Sequence, residues 1–103
     1  MKLIRSKAFN PCSAWQSIHI ASMDGIATRL HWTDQPYKWH VNHGEEVFAV
    51  LTGTVDMHYR VDGEERVARL EQGDVFHADA RCEHVAHPVG AARILVVEKQ
   101  ASV

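Results

Sequence analysis

The chain has 103 residues, enough for one hydrophobic core and too few for two, and 46% apolar with 23% charged residues is an ordinary globular composition. A formal net charge of −2, with Lys and Arg scattered along the chain, excludes the basic footprint of a nucleic-acid or acidic-lipid binder. The opening MKLIRSKAFNP lacks the long apolar core of a signal peptide, and no later run reaches membrane-spanning length. A cytoplasmic location is therefore expected, with Cys12 and Cys82 as free thiols and no membrane or nucleic-acid partner.

Glycine-bearing turn signals punctuate the chain at close spacing: MDG at 23–25, TG at 52–53, DGE at 62–64, EQG at 71–73 and PVG at 88–90. The pieces between them predict strands over 15–22, 26–32, 38–42, 46–51, 54–61, 65–70, 74–78, 83–86 and 91–98. No segment holds a 3.6-residue apolar period for three turns. The expected fold is therefore all-β, a sandwich or barrel, with no helix longer than a turn or two.

Eight histidines stand out in so short a chain, and strand alternation sorts them. Ile18 and Ile20 place His19 outside. In IATRLHW, Ile26, Leu30 and Trp32 share a face, which turns His31 outward with Arg29. In TVDMHYRV, Val55, Met57, Tyr59 and Val61 form the apolar face, so His58 is solvated, and His87 precedes Pro88 in a turn. His77, beside Phe76 in a short strand, reads as a core or cavity-lining residue. Cys82, two residues before His84, reads as a buried, inert thiol rather than as a residue lining the same cavity as His84.

The remaining histidines lie in two polar stretches against strand sequence. KWHVNHGEEVFAVLTG, residues 38–53, sets His40, Asn42, His43, Glu45 and Glu46 before the apolar run VFAVL. His40 and Asn42 share one strand face. On a straight strand Glu46 would lie ~20 Å from His40, at ~3.3 Å per residue. A hairpin through His43-Gly44-Glu45 would instead bring Glu46 back beside His40, with His43 at the solvated turn. The second stretch, GDVFHADARCEHVAHP at 73–88, has a turn, a strand, the loop DARCE and a new strand beginning at His84.

These two stretches resemble the two motifs of the cupin superfamily. The first motif runs His, any residue, His, three or four residues, Glu, six residues, Gly. Here it reads His40, Asn42, Glu46 and Gly53. The second runs Gly, five residues, Pro, one residue, Gly, two residues, His. Here Gly73 and His84 keep the separation, with Asp79 and Arg81 at the Pro and Gly positions. The resemblance covers roughly residues 36–98 and is nearest to small single-domain cupins, including those similar to tetracenomycin polyketide-synthesis proteins.

The resemblance implies a jelly-roll β-barrel forming one domain over 1–103, with strands in 1–35 completing the barrel and the metal motifs within 36–98. It also implies one divalent metal ion (iron, zinc, manganese or nickel) on His40, Glu46 and His84. Asn42 stands where a fourth, histidine ligand belongs, and His43 is the less favoured substitute. The implied activity is that of a dioxygenase, isomerase or cyclase acting on a small organic molecule. The alternative is a non-catalytic sugar or metabolite binder whose metal is structural or absent. Trp39, Val41, Val47 and Leu51, on outward faces, predict an apolar patch covered by self-pairing into a homodimer, which the resemblance implies too.

Overall fold

The computed structural model describes residues 1–100, so the last three residues of the expected domain, 101–103, lie outside the described residues. After a single 3-10 turn at Ser6–Ala8 every regular element is a strand: β1 Gln16–Met23, β2 Ile26–Thr33, β3 His40–Val41, β4 Glu46–Val61, β5 Glu64–Leu70, β6 Val75–Ala78 and β7 Glu83–Lys99. All pairings are antiparallel, in the order β1-β2-β7-β4-β5, with β3 added on β7 and β6 on β4. The chain folds as an antiparallel jelly-roll β-barrel.

Two predicted breaks are absent. The strands expected at 46–51 and 54–61 form the single strand β4, and those at 83–86 and 91–98 form β7, with His87 and Pro88 inside it. TG and PVG therefore act as bends within strands. The β4–β7 ribbon pairs Glu46 with Glu98 at one end and Tyr59 with His84 at the other, and its register shifts between Val50 and Thr54. Gly53 sits in that bulge at φ +88°, and a Cβ there would lie 2.4 Å from the Ala91 carbonyl oxygen. The bulge also moves the inward phase by one residue. Phe48 and Val50 face the core before it, and Val55 and Met57 after it.

This bend builds the barrel. On a flat ribbon Glu46 and His84 would be roughly 40 Å apart at ~3.3 Å per residue. In the folded chain their side chains touch at 2.9 Å. The space enclosed by the two ends is filled by Phe48, Val50, Val55 and Met57 from β4, Ala86, Ala92, Ile94 and Val96 from β7, and Leu70 and Ala78. The larger of these side chains each contribute about 1.5–3 kcal/mol by leaving water.

The alternation expected in β2 holds only in part: Ala27, Leu30 and Thr33 are the buried residues, at three-residue intervals. The segment around Trp15 explains this, because it lies against β2: Trp15 N–H donates to the Trp32 carbonyl, and its ring meets the His31 ring edge-on. The predicted outer patch is smaller than its sequence suggests. Trp39 is half-buried under the Arg60 guanidinium, 3.8 Å above its ring, and Val47 and Leu51 are half-buried, while Val41 is 50% exposed. Cys12 and Cys82 are free, as expected, with Cys82 half-buried against the core.

Candidate functional site

β3 and β7 pair His40 directly with His84. This corrects the expected hairpin: β3, only two residues long, joins β7 rather than β4, and Glu46 arrives from β4 across the bent ribbon. The two imidazoles meet edge-to-face with centroids 4.2 Å apart. Each Nδ1 lies against a backbone carbonyl, 2.9 Å from Cys82 O for His84 and 3.1 Å from Lys38 O for His40. A carbonyl only accepts, so each Nδ1 carries the proton, and each neutral ring turns the Nε2 lone pair inward.

Both lone pairs converge on Glu46. Its Oε1 is 2.9 Å from His84 Nε2 and 4.0 Å from His40 Nε2. The three ligand atoms all lie within 4.8 Å of one another, a spacing at which a single ion can touch all three. The Asn42 amide Nδ2 donates to Glu46 Oε1 and, at 3.1 Å, to Glu98 Oε2, while its own Oδ1 is buried without a partner. Arg29 approaches the other Glu98 oxygen at 3.6 Å. The donor set suits a divalent ion: two neutral imidazoles, each oriented by a carbonyl, and a carboxylate whose proton an ion would replace.

Asn42 is brought to the cluster as expected, but with its nitrogen toward the carboxylates. His43 is exposed at the bend, outside the converging group. His77 corrects its expectation as a core or cavity residue: it is exposed on β6 and bonds Glu45 at 2.7 Å. β6 turns Phe76 and Ala78 toward the interior, which by alternation puts His77 outside. His31 errs in the opposite direction. Expected outside with Arg29, it lines the cavity beside the cluster, and its Nδ1 is buried without a partner. Arg81 stands at the family's glycine position and takes φ +66°, the left-handed backbone that glycine there provides.

The cavity measures about 140 Å³ and is walled by Trp15, Tyr37, Phe48, Ala86 and Val96, with the imidazoles and Glu46 at one side. Glu98, also on its wall, was missed in the sequence. Its signal was there: in AARILVVEK the inward positions Ala92, Ile94 and Val96 extend by alternation to Glu98. Trp15 and Tyr37 carried no such signal, since they sit on irregular backbone before β1 and β3 and meet only in the folded chain, at 5.1 Å between centroids.

Burial sets the charge states. It pushes Glu46 up to about 7 against a hydrogen bond from Glu98. It pushes Glu98 up to about 8, reinforced by the neighbouring Glu46 and offset in part by Arg29 and His40. Burial also lowers His40 and His84, and lowers His31 to about 4 with help from Arg29. Above the ordinary carboxyl value of 4.5 the folded chain therefore holds protons that the unfolded chain has released. That stability is complete below 4.5 and is lost as pH rises through about 7 and 8. The histidines act in the opposite sense: their contribution is present above 6.5 and fades as pH falls toward 4.

Between about pH 6.5 and 9 only the carboxyl effect remains. The chelator-treated protein should lose stability there by up to ~1.4 kcal/mol per pH unit per proton. Urea denaturation across that range measures it, and a flat profile would show that the folded carboxyls titrate normally.

The fold and this cluster define a small β-barrel protein with imidazoles and carboxylates facing its cavity. A cupin-domain family profile matches residues 31–98, most of the chain, and the protein belongs to the cupin family. Among solved structures it is similar to a cupin-2 domain-containing protein of Shewanella frigidimarina, with 24% identity over 90% of this chain and 86% of that one, at a TM-score of 0.77. A cupin superfamily protein of Desulfitobacterium hafniense superposes at a TM-score of 0.81 with 15% identity, covering 96% of this chain and 90% of that one. The hydroxypropylphosphonic acid epoxidase of S. wedmorenis superposes at 0.64 with 18% identity, covering 72% of this chain but 43% of the enzyme. At these identities the likenesses establish the fold alone. No curated protein matches the sequence.

Proposed function

We propose that the protein is a metal-binding cupin that holds one divalent ion on His40, Glu46 and His84 and acts on a small organic molecule in the adjoining cavity. The convergence of two carbonyl-oriented imidazoles and one buried carboxylate within 4.8 Å carries the reading. Bound there, iron, zinc, manganese or nickel would supply Lewis-acid or oxygen-activating chemistry, of the kind a dioxygenase, isomerase or cyclase needs. The epoxidase, solved with Fe(II), supports a catalytic use of this barrel. The remaining work falls to the chain's own residues. Glu46 offsets the ion's charge, and His40 and His84 present lone pairs in a fixed direction.

The walls describe the ligand. A cavity of about 140 Å³ is close to the ~150 Å³ that accommodates a benzene ring. Trp15, Tyr37 and Phe48 offer aromatic surface, and His31, held neutral, offers a hydrogen-bonding nitrogen to a polar substituent. A second reading, a non-catalytic binder with a structural metal, is favoured by Asn42, since an amide is a poorer donor to transition metals than the histidine the family pattern places there. Elemental analysis of the purified protein, with native mass spectrometry of the cavity's contents, tests both. About one equivalent of metal is expected on either reading. A redox-active ion favours an oxygenase, and zinc favours isomerising, cyclising or structural use. Conversion rather than mere retention of the cavity's molecule separates a zinc enzyme from a binder. No metal after reconstitution with all four ions would overturn the metal reading.

A further inference from the structure

We propose that Glu98, rather than Asn42, supplies the fourth donor of the metal site, and that Asn42 is a positioning residue holding the two carboxylates. The inference rests on the metal reading above and deepens it. Glu46 and Glu98 are direct cross-strand partners on β4 and β7, so both side chains leave the same face of adjacent strands. Both are buried, at 4% and 8% exposure, and both line the same cavity. Two carboxylates side by side in such a place are costly unless protons or a cation neutralise them, and a divalent ion does so for both at once. Arg29 meets Glu98 from one side only, through Oε1, at 3.6 Å. The other oxygen, Oε2, is turned toward Asn42 and Glu46.

Asn42 is oriented against coordination. Its Nδ2 donates to both carboxylates, and the geometry of an amide then directs Oδ1 elsewhere, where it is buried and unpartnered. Turning the amide over to offer Oδ1 would strip both carboxylates of their shared donor. Glu98 stands just outside the 4.8 Å cluster of His40, Glu46 and His84, and a rotation of its own side chain, which gives up only the Oε2 bond from Asn42, brings it to the ion. The charge balance agrees: two carboxylates and two neutral imidazoles match a divalent ion, whereas Glu46 alone leaves it half-compensated. Alternation along β7 adds weight. A strand whose inward positions are Ala92, Ile94 and Val96 ends on a buried acid, and neither packing nor the Arg29 contact alone calls for one there.

Cobalt(II), whose visible d–d bands report its ligand set, is the probe. It is titrated into the metal-free full chain and its Glu98→Gln and Asn42→Ala variants, each checked for folding by circular dichroism. Glu98→Gln should weaken cobalt binding at least about tenfold and shift the bands, while Asn42→Ala weakens binding less and leaves the bands in place. Unchanged bands in Glu98→Gln, or the same shift in Asn42→Ala, would overturn the assignment while leaving the metal reading intact. A wild-type chain that binds no cobalt would overturn both. Should Glu98→Gln fail to fold, a structure of the cobalt-loaded wild-type chain decides. A Glu98 oxygen within about 2.3 Å of the ion is expected, and one beyond about 3.5 Å rules out coordination.

Discussion

Glu46→Gln is expected to abolish tight metal binding while making the metal-free protein more stable at pH 8. The two effects share one cause. Glu46 is 4% exposed, and burial raises its carboxyl to about 7, so at pH 8 the folded chain carries a charge its surroundings disfavour. A neutral amide of the same shape removes that cost. It keeps one of the two contacts made at Oε1: the amide oxygen accepts from Asn42 Nδ2, or the amide nitrogen donates to the His84 Nε2 lone pair. The same amide cannot neutralise a divalent ion. Changes to groups that only orient a ligand already cost ~10–100-fold in affinity, so loss of the anionic ligand itself should exceed ~100-fold. Calorimetric titration with zinc or manganese, beside thermal melts of the chelator-treated protein, reads both quantities. Undiminished affinity would remove Glu46 from the site and leave its cluster with His40 and His84 a structural one.

Gly53→Ala should be the most damaging single methyl addition in the chain. Gly53 holds φ +88°, a region that costs an L-residue about 1–2 kcal/mol before any contact is counted. The added carbon would meet the Ala91 carbonyl oxygen at 2.4 Å and the Ala92 Cα at 2.9 Å, both backbone atoms of the paired strand that cannot step aside alone. Relief requires the β4–β7 ribbon to open at its bend. A total of about 2–4 kcal/mol is expected, which lowers the melting temperature of a domain this size by roughly 10–25 °C. Metal affinity should fall with it, because Glu46 and His84 belong to opposite ends of that ribbon and meet only through the bend. Gly63, at φ +78° with open space around its Cβ position, is the control: alanine there should cost only the backbone strain. Equal losses at the two positions would show that the close approach at Gly53 is not what matters.

The outcome for the histidines shows what pattern reading can reach. Those in the interior of a regular run were placed correctly where one face was apolar, as His19, which is exposed. His31 and His77 were misplaced for a common reason. In VFHA the two faces look alike in sequence, and in IATRLHW both faces are partly covered, so in each strand the side facing the interior depends on which segment lies over it. Trp15 covers His31, and nothing in IATRLHW announces a tryptophan eleven residues upstream of the strand's start. The missing hairpin has a similar origin. His-Gly-Glu is good turn chemistry, and only competition from β7, which pairs His40 with His84, keeps β3 away from β4.

By itself, then, the sequence determined the all-β class, the turns at 23–25, 62–64 and 71–73 and the spacing of His40, Glu46 and His84, because these follow from short-range periodicity and from two motifs with fixed separations. It also held, unread, the alternation that places Glu98 inward. The tertiary structure decided the rest. Whether TG at 52–53 turns a hairpin or bends a strand depends on a partner strand some forty residues away, whose Ala91 carbonyl leaves room for nothing larger than glycine. The orientation of the Asn42 amide depends on where two carboxylates from different strands end up, and the cavity exists only because Trp15 and Tyr37 close over it. Local pattern records which face a residue prefers. Which residues share that face is settled by long-range strand pairing, and this site is built across such a pairing.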